Sequence, residues 1–359
     1  MTIESNRQDI ASIQMLRGIA ALMVVFVHLD VQLRRYSLGA IDSSWLVSGV
    51  DIFFVISGFI MWVTTARAAH MTGTKFMINR LIRIVPLYWA VSLFVLATAI
   101  MAPQWLHTTT LEPIHALASF LFIPARHPVT GQFWPLLVPG WTLNYEMLFY
   151  VLFAISIAAG NRSLGRRLAW LFGLIASVLV VASATRSGID VMNFYANPMM
   201  FEFLAGTLLA IVYASGRVAA SWLWFGAILV GFLLLWRGME IMPAGVPAFA
   251  PGAILVVAGG LFSPPVRITL LQRIGDASYS LYLTHVITLA IVATLWSRQS
   301  FLHGAIVFGA ISLVAALVAA MVCYRLFERP VTAWLKRIDA SAGYLARSVA
   351  PTPERRHTQ

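Results

Sequence analysis

The sequence predicts an all-α, polytopic integral membrane protein of about ten transmembrane helices with both termini in the cytoplasm. Of its 359 residues, 60% are hydrophobic and only 11% charged, where a soluble globular chain carries roughly 25% charged residues. The mean hydropathy is +0.81. At about 20 apolar residues per crossing, the chain has length for roughly ten spans and none left for a sizeable soluble domain. Its single cysteine, Cys323, lies in an apolar run, which excludes a disulfide framework and a cysteine-rich metal site.

The apolar segments are, in order, 11–31, 46–66, 82–102, 139–159, 168–185, 197–215, 219–236, 248–263, 277–297 and 305–326. The first lacks a basic leader and a small-residue cleavage site and runs on into further spans, so it reads as a span and not a signal peptide. The eighth is short and interrupted by Pro251, Gly252, Gly259 and Gly260. An outward-facing loop over 103–138 carries His107, His115, Arg126 and His127, and loops well beyond about 15 residues are usually functional or disordered. Residues 1–338 therefore form the membrane domain, and the polar, proline-containing stretch 339–359 is expected to be a disordered cytoplasmic tail.

Orientation follows from the basic residues. With the N-terminus inside, 19 of the 25 Lys and Arg residues fall on the cytoplasmic side and 6 outside, a bias that puts both termini in the cytoplasm. The net charge of +11 is then a topological device and a contact with membrane lipids. Nucleic-acid binding is discarded on that ground.

Ionisable residues at membrane depth are expensive and are functional candidates by default. Arg17 and His28 lie eleven positions apart in the first span, which puts them about 20° from the same helix face and roughly 16 Å apart along the axis. One face thus carries a cation toward the inside and an imidazole toward the outside, unless both simply snorkel to headgroups. Asp51 in the second span, Trp141, Asn144 and Glu146 in the fourth, and Glu202 in the sixth fall in the outer half, level with His28. A carboxylate there would orient the ring of a general base. The alternatives are a helix N-cap for Asp51 and a buried structural hydrogen bond or ion pair for Glu146. Arg80 and Arg83, three apart on one face of the third span, sit at the depth of Arg17 and suit phosphate binding; equally, they suit an ordinary positive-inside flank. The ninth span adds Asp276, Ser278, Ser280, Tyr282 and His285, a polar ladder that serves either function or helix–helix adhesion.

Four segments go further: Ile13 to Ala21 with His28; Asp51-Ile52-Phe53-Phe54-Val55-Ile56-Ser57-Gly58-Phe59; Arg80-Leu81-Ile82-Arg83 with Pro86-Leu87-Tyr88-Trp89; and Trp141-Thr142-Leu143-Asn144-Tyr145-Glu146 through Tyr150. With Ser278 to His285 they span almost the whole chain. In them the sequence resembles the acyltransferase-3 family of integral membrane acyltransferases, and most nearly its exopolysaccharide O-acetyltransferase branch. The resemblance implies transfer of an acyl group, usually acetyl, from cytoplasmic acyl-CoA to a hydroxyl of a polysaccharide or lipid-linked oligosaccharide across a bacterial inner membrane, with no metal. It implies that Arg17 and His28 are the family's Arg-x10-His pair, Arg80 and Arg83 its Arg-x-x-Arg element, and Glu146 its acidic fourth-span position. On that basis His28, Glu146 and Asp51 are expected to be catalytic, Arg17, Arg80 and Arg83 to hold acetyl-CoA, and Trp141, Asn144 and Tyr150 to contact the acceptor. His28 acts either as general base for direct transfer or as an acylated nucleophile. The rival functional classes are a secondary transporter, for which internal pseudo-repeats are missing, and a lipid-linked glycan flippase or polymerase.

Overall fold

The computed structural model describes residues 3–66, 68, 71–102, 112–160, 163–185, 189–241, 248–298 and 304–348. Among these residues the regular structure is entirely helical, and His107 and residues 349–359 lie outside them. The helices are α1 (Ile3–Arg35), α2 (Gly49–Ala66), α3 (Gly73–Met101), α4 (Pro113–Phe120), α5 (Trp141–Gly160), α6 (Leu164–Thr185), α7 (Asp190–Tyr195), α8 (Met200–Ser215), α9 (Leu223–Ile241), α10 (Ala250–Phe262), α11 (Thr269–Asp276), α12 (Ser278–Trp296), α13 (Ala305–Cys323) and α14 (Arg329–Ser348).

Seven segments among the described residues are long and apolar enough to cross a membrane, and α8, α10 and the apolar part of α9 are shorter apolar helices. Together they stand at the ten apolar segments of the sequence. The short ones are held in by backbone contact. A Cβ on Gly58 of α2 would come within 1.9 Å of the Phe203 carbonyl oxygen, and one on Gly206 of α8 within 1.9 Å of that of Val55. Only glycine lets two helices close to that distance, the device membrane helices use where no hydrophobic drive joins them. Ring stacking continues the seam: Phe203 lies 4.6 Å from Phe54 and 4.3 Å from Phe149 of α5, centroid to centroid. Phe94, Phe172, Leu229 and Val314 point outward from the bundle, as lipid-facing side chains do.

α3 begins nine residues ahead of its apolar segment, because the Thr72 side chain caps it by accepting from the Lys75 backbone N–H at 3.1 Å. Its Lys75 pairs with Asp339 of α14. The disordered tail expected from Asp339 onward is thus corrected as far as Ser348: those residues continue α14, anchored at that ion pair. Between α13 and α14 one turn, Tyr324–Glu328, is widened to a π-helix, a local bulge that is often functional.

α1 is the hub, packing on α2, α10, α11, α12 and α13. Its first half meets α11 at Gly275, whose Cβ position would lie 1.8 Å from the Gln14 carbonyl oxygen. Gln14 donates to Asp276 at 2.8 Å and Ser280 donates to Glu328 at 2.5 Å. The first half of α1, α11, the start of α3 and α14 therefore gather at one end of the bundle, so the first and last described helices meet on the same side. We call this the terminal end. At the opposite, loop end, Asp30 accepts from Arg34, the Ile41 backbone N–H and Ser43 at 2.8–2.9 Å.

Candidate active site

Toward the terminal end, α1, α2, α3, α5 and α12 line a small cavity that is partly open to the outside. Three guanidinium groups reach it: Arg17 from α1, and Arg80 and Arg83 from successive turns of α3. They share one carboxylate, Glu146 of α5, together with the hydroxyls of Ser57, Thr142, Tyr150, Ser278, Tyr279 and Tyr282.

The arginines differ in how far they are committed. Arg17 is buried and donates to Ser278 Oγ at 2.8 Å and Gln14 Oε1 at 3.0 Å. Arg80 lies over the Phe76 and Tyr150 rings, 5.3 and 5.9 Å from their centroids, and reaches Thr64 at 3.4 Å. Its Nε is buried without a partner among the described residues. Arg83 makes no hydrogen bond or ion pair among them. Glu146 is itself occupied, accepting from Tyr150 at 2.6 Å and Ser57 at 3.1 Å through one oxygen. The cavity thus holds three cations, one of them with an orphaned donor and one with no hydrogen-bonded partner, with one carboxylate in its lining and a second, Glu328, close enough to attract Arg17 and Arg83. An anion with several acceptor oxygens, such as a phosphate, is the ligand this donor set fits.

Beyond the cavity, toward the loop end, two imidazoles meet. His28 Nδ1 lies 3.0 Å from the Val24 carbonyl oxygen and 3.1 Å from His285 Nε2. His285 Nδ1 in turn lies 3.0 Å from the Leu281 carbonyl oxygen. The rings are edge to face at 4.8 Å. His285 is fully buried, whereas His28 is partly accessible. Tyr282 separates the pair from the cavity: its side chain lines the cavity, and its ring centroid is 6.2 Å from that of His285. Its hydroxyl sits 2.8 Å from Thr142 Oγ1 and donates to the Pro139 carbonyl at 3.1 Å, closing α12 onto α5.

Of the residues expected from sequence to form the site, Arg17, Arg80, Arg83, Glu146 and Tyr150 come together around the cavity. His28 stands apart from it, beyond Tyr282. The carboxylate expected to orient the His28 ring is corrected to an imidazole. Asp51 interacts with Glu202 across the α2–α8 seam, Glu146 is held by Tyr150 and Ser57, and the side chain bonded to His28 is His285. Helical rotation explains the difference, since Asp51 and Ser57 share a helix but only the latter faces the cavity. Trp141 and Asn144 do not line it either. Trp141 packs edge-on to Tyr145 at 6.1 Å, and Asn144 is buried with its backbone carbonyl 3.4 Å from the Tyr195 hydroxyl. Two contributions escape sequence reading. The His28–His285 contact joins positions 257 apart, and Glu328, the last residue of the π turn, accepts from Ser280 of α12. The only sequence signal for the latter is an acid at the end of the last apolar run.

In α4 and its connection to α5, His115 bonds the Trp134 carbonyl at 2.8 Å, and His127 Nδ1 accepts from the Val129 backbone N–H at 3.3 Å. Burial, and then the neighbouring His115 ring, hold His127 below the ordinary histidine pKa. These side chains brace the loop on itself.

A family model described as an acyltransferase domain, that of the acyltransferase-3 family, matches residues 10–325. The chain is 35% identical over 308 residues to the exopolysaccharide production protein ExoZ of Rhizobium meliloti (strain 1021), covering 84% of this chain and 94% of that one. It is 26% identical over 349 residues to BcsY of Komagataeibacter xylinus, named as a candidate membrane-bound transacylase, covering 91% and 83%. No solved structure is a significant match.

Proposed function

The chain belongs to the acyltransferase-3 family and is a membrane-embedded O-acyltransferase, and on that premise we propose that it moves an acetyl group from cytoplasmic acetyl-CoA to a hydroxyl of an exported polysaccharide at the bacterial inner membrane. The observation that carries this reading is the convergence of three guanidinium groups on one membrane cavity lined by a single carboxylate. The name of the Rhizobium relative supports a polysaccharide acceptor. The excess of basic residues at the terminal end supports a cytoplasmic site for the donor.

In this reading Arg80 and Arg83 bind the donor's phosphates from the cytoplasmic side, and Arg17, pinned by Ser278 and Gln14, marks the cavity floor. His28 lies roughly 16 Å further along α1, a distance for the extended pantetheine arm to cover. Between them stands the Tyr282–Thr142 contact, which must open for the acyl group to pass. His28 then takes the proton from the acceptor hydroxyl as its oxygen bonds to the acyl carbon. As the carbon–sulfur bond breaks, His28 returns that proton to the departing sulfur. The products are an O-acyl sugar and free thiol, and the imidazole is regenerated neutral.

Vesicles containing the protein, supplied with radiolabelled acetyl-CoA outside and glycan within, test the reading. Label on the glycan that disappears with His28→Ala supports it. Transport or lengthening of unmodified glycan would replace it with a flippase or polymerase.

A further inference from the structure

We propose that His285 is the positioning residue of the site: it fixes His28 as the tautomer protonated at Nδ1 and so makes Nε2 the atom that takes the acceptor's proton. The inference deepens the reading above and rests on it for the role of His28, but the tautomer it names is observable whether or not that role holds.

The argument is one of hydrogen-bond bookkeeping. A backbone carbonyl only accepts, so the 3.0 Å contact between His285 Nδ1 and the Leu281 oxygen requires the proton on His285 Nδ1. A neutral His285 then presents a bare lone pair at Nε2. That atom faces His28 Nδ1 at 3.1 Å. His28 Nδ1 also faces the Val24 carbonyl at 3.0 Å, which again only accepts. Both neighbours of His28 Nδ1 are therefore acceptors, and the proton on it is shared between them. The other tautomer would set two acceptors against a third lone pair and leave His285 Nε2 without a donor. Neutral imidazole carries one proton on nitrogen, so Nε2 of His28 is left as the basic atom.

His285 has the attributes of such a support. It is fully buried, its own ring is anchored one turn back on α12, and its rotation is limited by Tyr282 at 6.2 Å. When His28 becomes an imidazolium, the same bond to His285 Nε2 strengthens as a charge-assisted one. A neutral imidazole thus does the orienting for which a carboxylate is the usual choice, without adding a second charge at membrane depth. It touches neither substrate, so its effect is felt through His28 alone.

The test compares His285→Gln, His285→Met and wild type in nanodiscs. Gln places an amide oxygen near the former Nε2 and keeps a full acceptor; Met fills the space with only a weakly accepting thioether. With specifically 15N-labelled histidine, the wild-type His28 resonances are expected to show a protonated Nδ1 and a bare Nε2, and His285→Met, which keeps only the Val24 acceptor, to show a measurable fraction protonated at Nε2 instead. Acyl transfer by His285→Met is expected to lose about 10²–10⁴-fold in kcat, the range a misplaced general base costs. The KM for acetyl-CoA stays within about threefold, and His285→Gln recovers at least tenfold of the loss. A wild-type His28 protonated at Nε2, or a His28 signal unmoved by His285→Met, overturns the proposal. So does His285→Met with wild-type kcat. Activity retained by His28→Ala would instead remove the catalytic reading and leave the tautomer result standing.

Discussion

Arg83 is the most direct probe of the donor site, because its removal disturbs the least structure. It lines the cavity but has no bonded partner among the described residues, whereas Arg17 is tied to two side chains. Arg83→Gln keeps most of the volume and deletes the charge, taking the cavity from three cations against Glu146 to two. A hydrogen bond to a charged group contributes about 1.5–3 kcal/mol, so the dissociation constant for CoA should rise about 10–150-fold. Thermal unfolding in detergent reads this without knowledge of the acceptor. At a CoA concentration of about 100 times the wild-type Kd, bound ligand stabilises the native protein by about 2.7 kcal/mol. A tenfold weaker site leaves about 1.4 kcal/mol and a hundredfold weaker one about 0.4 kcal/mol. From about half to nearly all of the ligand-induced rise in Tm should therefore vanish in Arg83→Gln, with the ligand-free Tm unchanged. Arg237→Gln, which removes the same charge from α9 outside the cavity, should retain it. Equal protection of Arg83→Gln and wild type by CoA would refute the assignment of the cavity to an anionic donor.

The remaining predictions probe other parts of the molecule. Gly206→Ala forces a methyl to within 1.9 Å of the Val55 carbonyl oxygen, so α2 and α8 must part and stability should fall by at least about 1–3 kcal/mol; Gly173→Ala, with open space around it, should be neutral, and equal melting temperatures for the two would discredit the close approach. Tyr282→Phe removes the bonds to Thr142 and Pro139, each contributing about 0.5–1.5 kcal/mol. If that contact bars the donor from the histidines, acceptor-independent release of thiol from acetyl-CoA should rise about 2–10-fold, and an unchanged background rate would count against a barrier there. In the connection between α4 and α5 the folded state favours neutral His127, whose value is held below 6.5. Its contribution to loop stability is complete above that pH and is lost as the pH falls through the lowered value. Amide exchange of residues 127–131 should therefore speed up on acidification, and His127→Asn should flatten that response; the same response in the variant would assign it to another group.

What the sequence made legible was periodic or local. Apolar runs and basic flanks are read residue by residue, and the two arginines of α3 share a face through a three-residue spacing that any helix imposes. Arg17, Arg80, Arg83, Glu146 and Tyr150 converge because each lies on a long helix whose rotation is fixed by lipid outside and packing within. Azimuth between helices is a different matter. Depth alone put Asp51 and Glu146 level with His28, but which of them turns toward it depends on how α2 rolls against α8, and that is set by Gly58 and Gly206 meeting opposing carbonyls. The pairing of His28 with His285 depends likewise on α1 lying against α12, a contact between distant parts of the chain with no local signature. Hydropathy is blind to the Thr72 cap that starts α3 ahead of its apolar run, and composition alone does not register the ion pair to Lys75 at the point where α14 continues past Asp339.

The meeting of Gly58 and Gly206 also bears on how the molecule moves. Where two backbones touch with no side chains between them, there is nothing to re-pack, so sliding or hinging at that seam would break contact along its whole length. α2 and α8 must then travel as one strut. The junction of α5 with α12 is joined differently, through hydroxyl groups that swing on single bonds and exchange one partner for another at little cost. Any breathing that admits a long, thin substrate through the centre belongs on that side, with the strut as the fixed wall against which it opens.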